Sequence, residues 1–168
     1  YSYTKRFTFL CHLFLGGALA ASPIAAAIAV APQTIFGFET LQPSIYLIGG
    51  FVLFWVAGFD IAYALADLDF DRRTGLHSIP ARLGPRGALW VARFLHLNAL
   101  VCLLLAWIGA EPFGTITFGA IGAVSGVLIA EHIILARRGV AGLPLAFFTL
   151  NGFISLLLGA AGVVDVLV

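Results

Sequence analysis

Carboxylates are concentrated in one short stretch of this sequence, YALADLDFDRRTGLHSIP at positions 63–80. Only 10% of the chain is charged, yet Asp67, Asp69 and Asp71 follow one another here. If the preceding apolar segment continues through the stretch as one helix, residues spaced three and four apart share a narrow stripe. These residues are Asp60, Tyr63, Asp67 and Asp71. Asp69 falls on the opposite side of that helix, so we interpret it as a solvated carboxylate.

Carboxylates placed this close together repel one another, and the repulsion is costly at the edge of a hydrocarbon layer unless a cation is shared among them. Oxygen ligands presented four residues apart suit Mg²⁺, which keeps much of its water and bridges one or two carboxylates to a phosphate. The pattern therefore favours a site where Mg²⁺ meets a diphosphate.

A diphosphate also needs basic groups. The sequence offers five that we expect on the same side of a membrane as the aspartates: Lys5, Arg6, Arg72, Arg73 and Arg82. Lys5 and Arg6 are predicted to begin a helix, where positive charge opposes the helix dipole and stability alone does not favour it. For Arg72 and Arg73 an ordinary role in membrane orientation remains an alternative.

The composition indicates an integral membrane protein, because 61% of the 168 residues are hydrophobic and too little polar surface remains for a soluble globule. Apolar stretches of roughly 20 residues are long enough to cross a bilayer as helices. Five such stretches predict an all-α, polytopic helical bundle that forms a single transmembrane domain over residues 1–168. They are Phe9–Ala31, Ser44–Ala66, Ala88–Ala110, Phe113–Leu135 and Leu143–Val166.

The basic residues predict how the bundle is oriented in the membrane. Alternate threading of the five spans puts all nine Lys and Arg residues on one side. The opposite loops hold only Glu39 and Glu111 as charges, and the last span adds Asp165 near its end. By the positive-inside rule the basic side, with the aspartate-rich stretch, is cytoplasmic.

Asp60 is notable because it lies inside the apolar run FVLFWVAGFDIAYALA. An ionisable side chain within a membrane span indicates a functional site by default. Trp55, Phe59 and Trp90 are candidates for contact with a carbocation, although aromatic residues in spans more often serve packing or interfacial anchoring. We expect Asn98 and Asn151 to make interhelical hydrogen bonds, and the His residues share no ligand spacing.

Two segments resemble a known family. The run DIAYALADLDFDRRTGLHSIPARLG, positions 60–84, is similar to the second aspartate-rich motif of the UbiA-type intramembrane prenyltransferases, approximately DxxYAxxDxxxD followed by Gly and Ser. The opening YSYTKRFTFLCHLFLG looks like the Tyr-x-x-x-Lys-Arg segment that enters the fifth helix of that family.

The resemblance implies a fold of nine transmembrane helices around a central cavity, of which this chain would supply the last five. It implies Mg²⁺-dependent transfer of a polyprenyl group from an isoprenyl diphosphate to an aromatic acceptor, such as 4-hydroxybenzoate, in quinone biosynthesis at the cell (inner) membrane. By this resemblance Asp67 and Asp71 are metal ligands, and Asp60 is a ligand or orients the acceptor. By the same resemblance Lys5 and Arg6 bind the diphosphate, and Tyr63 holds Asp67 or lines the cavity. Arg72 is added as a diphosphate ligand from its charge and its position next to Asp71.

The family's first motif, approximately NDxxDxxxD, does not occur in these 168 residues. We therefore expect the chain to be the C-terminal part of a longer enzyme and to be inactive alone. Two alternatives remain from the residues themselves: a CDP-alcohol phosphotransferase, which also places aspartates at a cytoplasmic helix end, and an ion-coupled secondary transporter, which would use Asp60. A structural membrane subunit is a third, and no nucleic-acid motif is evident.

Overall fold

The structure is a computed structural model that describes residues 3–31, 41–111 and 113–168. Glu39 and Tyr1 lie outside the described residues. Within those ranges the chain is all-helical, without strands. The six α-helices are α1 (Cys11–Val30), α2 (Pro43–Tyr63), α3 (Leu68–Arg73), α4 (Ile79–Gly109), α5 (Thr115–Arg138) and α6 (Asn151–Leu167).

Close packing of α1, α2 and α4 forms one half of the bundle. Glycines allow this approach: a Cβ at Gly16 of α1 would overlap the backbone of Leu53, and one at Gly58 of α2 would overlap the His96 ring of α4. Small residues at such crossings are typical of helix packing in membranes, where backbones approach closely. The core then continues to α5 and α6 through Trp55, Val124 and Ile154.

The structure contradicts the prediction that the second span continues as one helix through the aspartates. The helix α2 ends at Tyr63, and four turn residues precede α3. In this turn the N–H groups of Leu65, Ala66 and Asp67 donate to carbonyls three residues earlier, at 3.0–3.2 Å. Such bonds tighten the backbone relative to an α-helix, so the assumed helical stripe is interrupted between Tyr63 and Asp67.

The prediction that Lys5 and Arg6 begin the first long helix is wrong. They belong to a separate 3₁₀ turn, Thr4–Arg6, and α1 starts only at Cys11. The argument from the dipole of α1 therefore does not apply to either residue.

The third span, α4, begins before the predicted Ala88. Its N-cap is Ser78, whose hydroxyl accepts a hydrogen bond from the Ala81 N–H at 3.3 Å, as Ser commonly does at this position. Gly84 interrupts the helix with φ 72°, a conformation that glycine adopts without the steric penalty of a side chain. A short segment next to the aspartate-rich turn is thus set off from the long apolar part.

Among the described residues, four helices are long and apolar enough to cross a membrane, and the last of them extends into the turn that follows α5. The chain is therefore a multi-pass membrane protein, as predicted. The fifth predicted span is less regular: a π-helical turn, Leu145–Leu150, precedes α6, which is a 17-residue apolar helix.

At the end of the bundle opposite to the aspartates, Asp165 of α6 caps α5. Its carboxylate accepts hydrogen bonds from the N–H groups of Gly114, Ile116 and Thr117, at 3.0, 3.3 and 2.6 Å. The first N–H groups of a helix have no partner inside the helix, and negative charge near them is favourable. Asp165 thus joins the last two spans.

We predict that Asp165→Ala lowers the midpoint of thermal unfolding of the detergent-solubilised protein, because three N–H groups lose their acceptor. Glu111→Ala is the matched control, since Glu111 is an exposed acid at the same end of the bundle. Unfolding followed by circular dichroism measures both variants, and an equal midpoint for the two would contradict the capping role.

Candidate functional site

Asp67 and Asp71 converge on one cation, Lys5. The Nζ atom of Lys5 lies 3.7 Å from Oδ2 of Asp67 and 3.5 Å from Oδ2 of Asp71. The Asp71 side chain is 1% exposed and that of Asp67 is 52% exposed, so the pair extends from the interior to the surface. The tight turn after α2 does not separate the two carboxylates. Asp67 is the N-cap residue of α3 and Asp71 lies within this helix, so the two residues keep their four-residue spacing.

Backbone contacts hold Lys5 against the aspartate-rich segment. The His77 N–H donates to the Lys5 carbonyl at 2.6 Å, and the Leu76 N–H donates to the Asp71 carbonyl at 2.8 Å. Gly75, with φ 69°, lets the chain reverse after α3 at a backbone conformation unfavourable for other residues. The loop 74–78 thus connects the Lys5 turn, α3 and the start of α4.

A cavity of about 430 Å³ opens beside Asp71. Both Arg72 and Arg82 line it, and each is held by a neighbour: Nε of Arg72 donates to the Ala81 carbonyl at 3.4 Å, and the Arg82 guanidinium lies 4.3 Å from the centre of the Phe9 ring. The rest of the wall comes from the loop and the first turn of α4. The lining residues are Phe9, Asp71, Arg72, Gly75, Leu76, His77, Ser78, Ala81 and Arg82.

The carboxylates fit a magnesium ion that bridges to a phosphate. Oδ2 of Asp71 is buried, forms an ion pair with Nζ of Lys5 at 3.5 Å and accepts no hydrogen bond among the described residues, so it retains capacity for a further cation. No group of three or more His, Cys, Asp or Glu side chains suited to a metal occurs within the described ranges. Mg²⁺ commonly uses one or two carboxylates together with water and substrate phosphates, so Asp67 and Asp71 could hold it without further protein ligands.

Asp60 belongs to a different contact. Its Oδ2 lies 2.6 Å from Nδ1 of His12 on α1, and both residues are buried. Nε2 of His12 accepts the Ile79 N–H at 3.4 Å. Since that nitrogen is the acceptor, Nδ1 carries the hydrogen of a neutral ring and donates it to Asp60. Asp60 and His12 therefore link α1, α2 and the first residue of α4.

The remaining candidates take less central positions. Tyr63 is the last residue of α2 and is 41% exposed; it is not among the residues that line the cavity beside Asp71. The guanidinium of Arg6 lies 5.1 Å from the Tyr3 ring centre and Arg6 is exposed. Asp69 is exposed, as predicted.

An apolar cavity of about 430 Å³ lies deeper, between α1, α2 and α6. Both Trp55 and Phe59 line it, and their rings meet edge to face at 5.8 Å. Nε1 of Trp55 donates to Oδ1 of Asn151 at 3.2 Å, which confirms an interhelical bond for Asn151. Trp90 is elsewhere, 67% exposed and stacked on Arg93.

Sequence reasoning missed His12 and misassigned Asn98. Nδ2 of Asn98 donates to the Phe94 carbonyl of its own helix at 2.7 Å, so the predicted interhelical bond is wrong. His12 and Asp60 are 48 residues apart in sequence and on different helices. The only available signal was a lone His in an apolar run, which does not identify a partner.

The UbiA prenyltransferase family matches residues 1–164 of this chain. The 4-hydroxybenzoate octaprenyltransferase of Saccharophagus degradans is 29% identical over the whole chain and 53% of its own length. That of Alcanivorax borkumensis is 34% identical over 65% of this chain and 34% of its own length. The apo structure of a UbiA homolog from Aeropyrum pernix superposes with a TM-score of 0.78 at 31% identity, covering 97% of this chain and 58% of that one.

The all-helical fold of this chain is thus shared with that UbiA homolog. The chain belongs to the UbiA prenyltransferase family. It spans about half the length of the curated relative that it matches over its full extent.

We predict energetic coupling between His12 and Asp60, because removing either leaves the other buried without this partner. In a double-mutant cycle of His12→Ala and Asp60→Ala, the coupling in unfolding free energy should be about 1–3 kcal/mol. Reversible unfolding in mixed detergent micelles measures it. A second cycle that combines His12→Ala with Asp69→Ala is the control and should be additive; additivity in both cycles would contradict the buried contact.

Proposed function

We propose that the protein transfers a polyprenyl group from an isoprenyl diphosphate to an aromatic acceptor of the 4-hydroxybenzoate type, in quinone biosynthesis. The observation that carries the proposal is the convergence of Asp67, Asp71 and Lys5 beside a cavity lined by Arg72 and Arg82. The match to the prenyltransferase family supports it. So do relatives named 4-hydroxybenzoate octaprenyltransferase.

Mg²⁺ would be held by Asp67 and Asp71. When bound, it supplies charge neutralisation on the diphosphate and so favours departure of the leaving group. Lys5, next to both carboxylates, adds positive charge where the diphosphate would lie. The two arginines of the cavity wall, Arg72 and Arg82, present guanidinium groups that match phosphate oxygens in geometry and charge. Arg6 remains a proposed diphosphate ligand, although the structure gives it a contact with Tyr3.

In this proposal the main role of Asp60 is to hold neighbouring helices in place. Its carboxylate is engaged by His12, and His12 is held by the N–H of Ile79. The aspartate thus fixes the end of α2 relative to α1 and to the start of α4. A direct contact of Asp60 with the acceptor is the alternative that the family resemblance implies. Tyr63, at the exposed end of α2, remains a proposed partner of Asp67 or a residue of the substrate cavity, as the family resemblance implies.

The isoprenoid would occupy the apolar cavity between α1, α2 and α6. Its lining includes Leu19, Pro23, Val52, Trp55 and Phe59, side chains that exclude water from a reactive carbon centre. The aromatic faces of Trp55 and Phe59 are suited to stabilise positive charge on an allylic carbon.

The aspartate-rich end would face the cytoplasm, and the membrane would be the cell (inner) membrane. The Lys5 turn, the loop after α3 and the start of α4 meet at one end of the bundle. Asp165 and Glu111 lie at the other end. This distribution supports the positive-inside assignment. Family membership favours prenyl transfer over the CDP-alcohol phosphotransferase and transporter alternatives.

We predict that Asp67→Ala and Asp71→Ala each lower prenyl transfer by at least about 100-fold, a loss typical of removing a group that stabilises charge in the transition state. Asp69→Ala, in the same helix but exposed, is the control and should change the rate little. Membranes containing the whole protein, a labelled isoprenyl diphosphate and 4-hydroxybenzoate provide the assay. Equal losses in all three variants would contradict the assignment, and no transfer to any aromatic acid by the wild type would contradict the function.

We further predict that the 168-residue chain alone gives no Mg²⁺-dependent prenyl transfer. The family resemblance implies that a first aspartate-rich motif also takes part in binding the diphosphate, and that motif is absent from this sequence. The purified chain in lipid nanodiscs should be compared with the whole protein in the same assay. Robust transfer by the 168-residue chain would contradict this prediction.

A further inference from the structure

A separate cavity lies on the flank of the bundle, between α4 and α5. Its volume is about 430 Å³, which is within the range of small-molecule sites. None of its lining residues contributes to the cavity beside Asp71 or to the apolar cavity near Trp55. The walls are aliphatic except for Arg93, His96, Ser125 and His132.

The two histidines of this cavity belong to a directed hydrogen-bond chain. Nε2 of His96 lies 3.3 Å from the Trp55 carbonyl, and Nδ1 of His96 lies 3.0 Å from Nε2 of His132. A carbonyl can only accept, so Nε2 of His96 carries a hydrogen. Neutral rings are favoured at these depths because an unpaired charge in hydrocarbon is expensive. Nδ1 of His96 is then an acceptor, and Nε2 of His132 must donate to it.

The chain leaves one atom unused, Nδ1 of His132. In a neutral ring whose Nε2 donates, Nδ1 carries a bare lone pair. This atom is buried and has no hydrogen-bond partner within the part of the chain that the structure describes. Buried polar atoms without a partner are rare in native structures, so a donor from outside the described residues is expected there.

Arg93 adds a positive charge to the same cavity. Its guanidinium stacks on the exposed Trp90 ring at 4.8 Å, and no carboxylate lies within salt-bridge distance among the described residues. A ligand with one hydrogen-bond donor and one acceptor oxygen would satisfy both polar groups, because the donor suits Nδ1 of His132 and the oxygen suits the Arg93 guanidinium. The aliphatic walls would accept a hydrocarbon chain.

We infer that this cavity binds a long-chain carboxylic acid, with its carboxyl hydrogen shared with Nδ1 of His132 and its second oxygen facing Arg93. The tail would lie along Leu97, Leu100, Ile129 and Ile133. The site is independent of the proposed prenyl transfer, because it uses no residue assigned to that reaction.

Binding of oleic acid to the whole protein in phosphatidylcholine nanodiscs tests the inference. Saturable binding is expected for the wild type, and His132→Phe and Arg93→Gln should each weaken it by at least about tenfold, which corresponds to the loss of one hydrogen bond to the carboxyl group. Asn98→Ala is the control, since Asn98 is on the same helix outside the cavity lining. Methyl oleate and oleyl alcohol should bind more weakly than oleic acid.

A second measurement needs no variant. In protein labelled with ¹⁵N-histidine, the resonance of the unprotonated Nδ1 of His132 should shift on addition of oleic acid and stay unchanged with methyl oleate. Absence of saturable binding, equal binding of the methyl ester, or unchanged binding in both cavity variants would overturn the inference. Preferential binding of lysophosphatidic acid would overturn the carboxylic assignment.

Discussion

Charge compensation at the membrane edge is the constraint on which the site depends. A buried carboxylate such as that of Asp71 is tolerated only where a cation or several donors stand close to it. Lys5 supplies that cation in the structure. It does so from a separate turn that the loop after α3 holds by a backbone hydrogen bond. The aspartates, the basic turn and the beginning of α4 therefore depend on one another for their positions.

Single polar contacts also join neighbouring spans along the length of the bundle. His12 with Asp60 joins α1 to α2, Trp55 with Asn151 joins α2 to α6, and Asp165 joins α6 to α5. Association in lipid gains little from apolar burial, since lipid tails are as apolar as the helix surfaces. Contacts of this kind, together with glycines at the crossings, fix which helices are neighbours.

The features most accessible from sequence were those that depend on composition along the chain. Apolar runs of sufficient length predicted the spans, and the four-residue spacing of Asp67 and Asp71 predicted their convergence. The end of α2 was not predictable, because apolar residues continue through Ala66 and the change from α-helical to i→i−3 bonding leaves no compositional mark. Contacts between distant residues were equally inaccessible: His96 and His132 are 36 positions apart, and only packing of α4 on α5 brings them together.

The break after Tyr63 places the acidic groups and the cavity walls on different segments. Asp67 and Asp71 flank or belong to α3, whereas Trp55, Phe59 and Val52 project from α2. We therefore expect substitutions in α2 that widen or narrow the apolar cavity to leave the spacing of Asp67 and Asp71 unaltered. Under the proposed function, substitutions in α2 can therefore change the length of the isoprenoid that fits the apolar cavity while Asp67, Asp71 and Lys5 stay constant.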